Sequence, residues 1–468
     1  MKKRPLLISI SAFLFIASLM LAYFTMYFNS NGIDTILNKK YWQQETGGVT
    51  QKTTSAAASE VTNTTAATLS SAVQATTPAI STQITATEPD LITPPINVPP
   101  EEQYTDISIA AIGDFLIHSK VLEAHYDETN KIYDFNNAFT QVKPIISKYD
   151  YTVASLEVPL GGSSGRSYTG FPQFNSPDTL IDSLKNTGVN ALLTSGTHAF
   201  DAGITGLERT INTINEKSMD IAGTRLKPAD KNYIVKDIKG LKTGIINYSA
   251  VKRNSSGRIS LNGNQITADQ EKLINIFEYG KLNDFYDNVK NILQSMKGDG
   301  AEFFIFFIRW GTDYTTVQNA NQVKIAKELC KMGIDVIIGN GPHMIQPFEV
   351  LKDESTGKTT ICIYSLGNFL SNQRKEEISH KSGHTEDGVI FAVNIRRYNT
   401  GDIKIMGVEH TPTWVQLKTN VNTNKLVYMI LPFNEANNQI KDAADSYKRT
   451  EKIIKESIIK FNIDDRID

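Results

Sequence analysis

An α/β domain made of two sheets packed face to face, with helices outside them, is the fold this 468-residue chain predicts. Three observations carry that expectation. From Glu102 onward, strand-like apolar runs alternate with amphipathic segments, the pattern of parallel crossovers. From Thr359 the pattern turns β-rich, through TTICIYSLGNF, DGVIFAVNI, DIKIMGVEH and TPTWVQ, and two facing sheets accommodate both halves. Six of the apolar runs also end in side chains suited to chemistry, as open α/β folds arrange at the carboxyl ends of their strands.

The domain occupies residues 102–433 in this reading, and what precedes it is of another kind. Residues 1–4 carry Lys2, Lys3 and Arg4, and residues 5–28, PLLISISAFLFIASLMLAYFTMYF, hold no charge. Roughly 20 apolar residues cross a hydrocarbon core, whereas a cleaved signal has an apolar region of about 7–15. The longer run favours an uncleaved transmembrane anchor over a removed signal. Its basic end then stays in the cytoplasm and the folded domain lies outside, a single-pass cell-membrane topology. Residues 29–101 form an extracytoplasmic Thr/Ser/Ala-rich linker. Between Thr53 and Pro100 it has no aromatic residue and no sustained apolar period. Such a segment cannot bury enough surface to offset its ordering entropy, so a disordered stalk is expected. The net charge of −2 and the scattered basic residues give no footprint for nucleic acid, and none is expected as a partner.

Within the domain, SPDTLIDSLKNTG predicts a helix capped by Ser176, with Pro177 at its first position and a stop at Gly188. AGITGLERTINTINEKSM and ANQVKIAKELCKMG space their apolar residues three and four apart, the second closing on Gly333. Residues 434–468, with AADSYKRTEKIIKESIIKF, read as a helical tail that packs on the domain or frays. Cys330 and Cys362 lie among apolar residues, as buried free thiols do, and nothing in the sequence supports a disulfide.

The runs and their endings are specific. ISIAAIGDFLIH delivers Asp114 and His118, YTVASLE delivers Glu157, and VNALLTSGTH delivers His198. AEFFIFFIRWGTDY brings Arg309, Asp313 and Tyr314, IDVIIGNGPH brings Asn340 and His343, and ICIYSLGNF brings Asn368. Gathered at one edge, carboxylate, imidazole and amide groups are the ligand set of a hydrolytic metal centre. Asp114, Glu157, His198 and His343 are the candidate metal ligands, with His118 in reach of the same pocket. Each also has a plainer reading. Asp114 can cap a helix or close an Asx-turn, and His118 can be a surface polar group. Glu157, after a buried run, needs a partner in any case, because an unpaired buried charge is costly. Asp201 orients His198 or caps the helix that follows. Asn368 closes the site or shapes a turn. Trp310 and Tyr314 form a pocket wall or pack in the core.

Taken in order, these motifs resemble the CapA/PgsA-type proteins of poly-γ-glutamate capsule synthesis, over about residues 105–415. GDFLIH resembles the family's opening Gly-Asp motif and SLEVPL its Leu-Glu-x-Pro motif. GTHAFDAG matches Asn-Asn-His-x-x-Asp-x-Gly at His198, Asp201 and Gly203. RWGTDY corresponds to His-Trp-Gly-x-Glu-Tyr, NGPHMIQPFE to the His-Pro-His segment, and YSLGNFL to Ser-Leu-Gly-Asn-Phe. The resemblance implies a metallophosphatase-like αββα sandwich. It also exposes departures: Gly196 and Thr197 stand in place of the paired asparagines, Arg309 in place of a histidine, and Gly341 in place of the first histidine of His-Pro-His. Glycine supplies no ligand and arginine is not deprotonated near neutral pH.

Two functions follow as expectations. In the first, this is a membrane-anchored, outward-facing protein with a degenerate metal site. It acts in the synthesis or export of an anionic polymer, and its partners are that polymer or a membrane-bound synthase complex. Arg309, aided by Lys252 and Arg253, contacts the carboxylates, with Asn340, Asn368 and Tyr314 lining the binding site. Arg309 is also expected to pair with Glu157 or Asp114 and to keep both acids ionised. In the second, a mononuclear metallohydrolase, one Mn²⁺, Zn²⁺ or Fe²⁺ activates water for phosphoester or amide cleavage. His198, Asp201 and Arg309 then take the catalytic roles. The cofactor is accordingly one divalent ion or none.

Overall fold

The computed structural model describes residues 103–421 and 423–464; the expected membrane span and stalk lie outside the described residues. Residues Pro100 to Asp468 form one compact unit. Among the described residues, no helix is long and apolar enough to cross a membrane.

The chain builds part of one sheet, crosses to a second, and returns. β1 (Tyr104–Phe115), β2 (Tyr151–Leu156), β3 (Ala191–Leu193) and β4 (Asp220–Ala222) lie side by side in parallel. β5 (Tyr233–Ile238), β6 (Leu241–Val251), β7 (Ile276–Glu278), β8 (Phe303–Arg309), β9 (Val336–Asn340), β10 (Ile345–Lys352) and β11 (Thr359–Leu366) make the second sheet. Its order is β7-β6-β8-β9-β11-β10, with β5 paired to β6. β12 (Asn368–Leu370) then re-enters the first sheet beside β1, followed by the antiparallel strands β13 (Asp387–Tyr398), β14 (Ile403–Thr419) and β15 (Leu426–Pro432). The first sheet thus reads β15-β14-β13-β1-β2-β3-β4.

The predicted sandwich is what forms, because the strands are apolar on both faces. Ile107, Ile109 and Ala111 of β1 meet Phe303, Ile305 and Phe307 of β8 between the sheets. The alternate residues Ala110 and Ile112 face outward and are covered by α1 (Ser119–Ala124) and α2 (Thr179–Thr187). α3 (Gly203–Glu216) packs beyond them at the sheet's end, through Leu207 and Ile211. On the far face, Phe304, Phe306 and Ile308 pack under α4 (Leu282–Gly298) and α5 (Ala320–Lys331). A period of two with both phases apolar is the mark of a strand buried on both faces.

Local signals largely hold. α5 starts on Asn319, which with Gln322 forms a capping box, and the chain turns at Gly333 with φ 93°. α2 stops at Gly188, which is left-handed. Its start differs from the expectation: helical residues begin at Thr179, and Ser176 does not cap them. The Ser176 amide is instead held by the Pro159 carbonyl at 2.9 Å, so the chain is tied to the preceding loop until Pro177 has passed. Cys330 and Cys362 are both buried and free.

α6 (Lys441–Asp464) closes the sandwich at one side, packing against β10 and β14. Arg449 grips the buried Asp387 at the start of β13 through two hydrogen bonds, 2.8 and 2.6 Å, and Ile454 is wholly buried in the layer between the sheets. Of the two readings left open for this tail, packing applies at least through Ile454. Ile454→Ala should therefore cost about 2–5 kcal/mol in denaturant melts, while its exposed neighbour Lys455→Ala should stay within about 0.5 kcal/mol. Equal, small effects at both positions would show that the helix is not part of the core.

Candidate functional site

Strand alternation aims the site residues. Along β2, Tyr151 and Val153 face the second sheet, and continuing that phase puts Glu157 in the gap between sheets. The same count from Phe303, Ile305 and Phe307 places Arg309 there, and from Val336 and Ile338 it places Asn340. Asp114 has the wrong phase, since Ala110 and Ile112 face the helices. A register shift between Ile112 and Asp114 against β2 corrects it, which is the service a β-bulge performs. Gly113 permits the bulge, because a side chain there would collide with the Gly367 carbonyl. Asp114 then pairs in register with Asn368. Six loops thus reach one edge of the sandwich.

Three imidazoles come to that edge, and the partners of two of them place a proton on Nδ1. His198 Nδ1 donates to Asp201 Oδ2 at 2.8 Å. Asp201 is held in turn by the Phe174 amide at 2.9 Å and the Asn262 side-chain amide at 2.8 Å. His343 Nδ1 lies 3.1 Å from Asn368 Oδ1. Because Asn368 donates Nδ2 to the Thr385 carbonyl at 3.0 Å, its oxygen faces His343 and accepts. His118 Nδ1 is 2.9 Å from the Leu116 carbonyl, which can only accept, and 3.2 Å from the Asn372 amide, which donates toward it, so these two partners favour opposite tautomers. His198 and His343 therefore each carry a proton on Nδ1 and turn Nε2 elsewhere. Phe174 stands edge-on to both His118 and His198, at 5.3 and 4.7 Å between ring centres. Burial pushes the His118 pKa down to about 4, with repulsion from His198 and His343 adding to it and the Leu116 carbonyl opposing. Burial also lowers the His343 pKa, with Arg309 adding to the effect and Asp313 opposing it.

The charged groups form an unequal trio. Arg309 Nε is 3.4 Å from Glu157 Oε1, an ion pair without hydrogen-bond geometry, and Nε has no hydrogen-bond partner among the described residues. Burial works against the guanidinium, but Glu157, Asp313 and Asp114 outweigh it and hold its pKa above the ordinary value. Asp114 is fully buried, and neither carboxylate oxygen has a hydrogen-bond partner. Burial and then the repulsion of Glu157 push its pKa up to about 8, and Ser155, Arg309 and the Gly341 amide only partly offset this. The expectation that Arg309 keeps Asp114 ionised is therefore corrected. Arg309 sits against Glu157, and the desolvation of Asp114 wins.

The two glycines that depart from the family pattern are tied to this trio. A Cβ at Gly196 would lie 2.7 Å from Glu157 Oε1, and one at Gly341 would lie 3.0 Å from Arg309 Cγ and 2.9 Å from the Trp310 carbonyl. The carboxylate and the arginine stem fill the room that larger residues would need. Among the described residues, no three His, Cys, Asp or Glu side chains stand close enough to hold a metal ion.

Other expectations resolve by geometry. Trp310 is core, its indole N–H donating to the Tyr364 carbonyl at 2.9 Å. Tyr314 belongs to the site, stacked on His380 at 4.3 Å and tilted against His343 at 5.7 Å. Both Tyr314 and His343 have left-handed backbones, with φ of 60° and 58°, a strain that clusters at functional sites. His118 is buried in the pocket. Asn340 is buried with its Oδ1 unpartnered. Arg253 does not face the site as a free cation, because it pairs with Glu271 and Glu278, each at 2.8 Å. Phe174, His380, Thr385 and Asn262 were not singled out from the sequence. Only Asn262 left a signal, the Asn-Gly pair of a tight hairpin.

Two predictions come from this geometry. Folding raises the Asp114 pKa from the usual carboxylate range to about 8, so the folded state keeps a proton that the unfolded chain has released. That contribution is full below the unfolded pKa and is lost as pH rises toward 8. The parent should lose stability in urea melts between about pH 5 and about pH 9, and Asp114→Asn should flatten that loss; an unchanged slope would assign it elsewhere. Gly341 has φ 109°, so Gly341→Ala should cost more than about 1 kcal/mol. Gly280→Ala, which meets nothing within 4 Å, should be near neutral by the same measurement.

Residues 108–373 match the family described as bacterial capsule synthesis protein PGA_cap. The PGA biosynthesis protein CapA of Bacillus subtilis (strain 168) is 22% identical over 344 residues, covering 70% of this chain and 79% of that protein. The capsule biosynthesis protein CapA of Bacillus anthracis is 21% identical over 278 residues, covering 57% of this chain and 60% of that protein. A solved calcineurin-like phosphoesterase, YfkN from Bacillus subtilis, is similar at 14% identity and a TM-score of 0.36, over 75% of this chain and 98% of that one; so distant a likeness decides nothing about the site. The family match extends over more than half of the chain and takes in five of the six site loops whole and the sixth, at Asn368, near its end: the chain belongs to the bacterial capsule synthesis family PGA_cap.

Proposed function

We propose that this protein acts in the synthesis or export of an anionic cell-surface polymer and holds the polymer's acidic groups through Arg309, without metal-dependent hydrolysis. The observation that carries the reading is Arg309 itself. Its guanidinium is braced 3.4 Å from Glu157, its side chain is 15% exposed, and its Nε is unpartnered. A planar cation so placed offers paired donors to a carboxylate. Asn340 Oδ1, buried and unpartnered, offers an acceptor to an amide N–H. A guanidinium and an amide acceptor at one edge suit a polymer that carries carboxylates on an amide-linked chain. The imidazoles and the Tyr314–His380 stack then form walls rather than ligands. Family membership supports the capsule setting. The uncharged run of residues 5–28 supports attachment to the membrane with the domain outside.

The test uses the full chain in detergent, with poly-γ-glutamate as the probe. Arg309→Gln should weaken binding by at least about tenfold, the scale of one charge-assisted hydrogen bond. Mn²⁺, Zn²⁺ and Fe²⁺ should leave the melting curve of the parent unmoved. Unchanged polymer affinity in the variant would remove Arg309 from the reading. Metal-linked stabilisation of about 2–4 kcal/mol would favour the mononuclear hydrolase on Asp114, Glu157, His198 and His343 instead.

A further inference from the structure

A cavity of about 410 Å³ lies outside the site just described, between the carboxyl ends of β6 and β7 and the first turns of α4. Its charged wall is uneven. Arg253 is consumed by Glu271 and Glu278, but Arg225 has no ion-pair partner among the described residues. Arg225 Nη1 donates to Asn275 Oδ1 at 2.8 Å, and its buried Nε has no partner at all. Asn275 cannot turn away, because its own amide donates to the Asn232 and Asn247 carbonyls at 2.9 and 3.1 Å. Nη1 is therefore fixed and Nε is shut away from water, which leaves Nη2, without a hydrogen-bond partner among the described residues, as the donor for the cavity that Arg225 lines.

We propose that this cavity is a second binding site, which takes a single carboxylate borne on an uncharged polar chain, with Arg225 as its anchor. A guanidinium Nη2 donates a short, charge-assisted hydrogen bond to a carboxylate. Burial holds the Arg225 pKa below the ordinary guanidinium value, with Tyr248 and Asp230 opposing only in part, as fits a cation lacking its counter-ion. The volume exceeds what a bare carboxylate needs and falls within the range of small-molecule pockets. Asn288 and Asn291 on the α4 side offer amide groups to the rest of the ligand. Glu271, Glu278 and Asp284 also line it, which disfavours a doubly charged phosphate. The proposal does not rest on the reading of the Arg309 site.

The probe is N-acetylglutamine, which carries one carboxylate and two amides, with its C-terminal amide and inorganic phosphate for comparison. On the full chain in detergent, N-acetylglutamine should protect Arg225 from phenylglyoxal, read by peptide mass spectrometry, and the other two should not. By calorimetry, Arg225→Gln should weaken N-acetylglutamine binding by at least about tenfold, with Arg225→Lys between the two. Should Arg225→Gln fail to fold, protection in the parent decides alone. Protection by phosphate equal to that by N-acetylglutamine, no protection by either, or unchanged affinity in a folded Arg225→Gln would each overturn the assignment.

Discussion

The Arg309–Glu157 ion pair occupies the gap between two sheets at their carboxyl edge, and the rest of the site is arranged around it. A charge removed from water there is tolerated only with a partner. Glu157 directly follows β2 and Arg309 ends β8, so the pair also links the two sheets where their apolar layer gives way to polar side chains. Asp114 is left out of that pairing, and burial together with the nearby Glu157 raises its pKa.

Around the pair, hydrogen bonds fix several of the loops. Asp201 is gripped by a backbone amide and two asparagine side chains, which fixes His198. Asn368 does the same for His343 from the strand beside Asp114. The left-handed backbones of Tyr314 and His343 are retained within this framework, where the Tyr314 amide is bonded to the Pro342 carbonyl at 2.8 Å. Rings held this firmly present fixed nitrogen lone pairs, and a site of fixed dipoles needs little rearrangement when a ligand arrives.

The departures from the family pattern that this chain resembles are not independent of one another. Arginine in place of histidine brings a longer stem, and Gly341 leaves room for that stem. Gly196 leaves room for the Glu157 carboxylate that faces the guanidinium. Restoring a side chain at Gly196 or Gly341 alone would meet a clash or a strained backbone angle. The backbone of the loop is thus as much a part of the altered site as the side chains are.

Much of the fold was legible because it depends on local periodicity. Runs such as FFIFFIR and VIIGN are apolar in both phases, which requires cover on both faces, and helix ends such as Asn319 with Gln322 announce themselves within four residues. The loops bearing Asp114, Glu157, His198, Arg309, His343 and Asn368 were legible for the same reason, since each follows a strand. What the sequence could not carry is everything set by neighbours distant along the chain. The bulge that turns Asp114 inward depends on Gly367, some 250 residues on. The raised pKa of Asp114, the pairing of Arg309 with Glu157 rather than Asp114, and the loss of Arg253 to Glu271 and Glu278 are contests between electrostatic partners. Period and propensity are properties of a segment, whereas desolvation and ion pairing are decided by which segments meet.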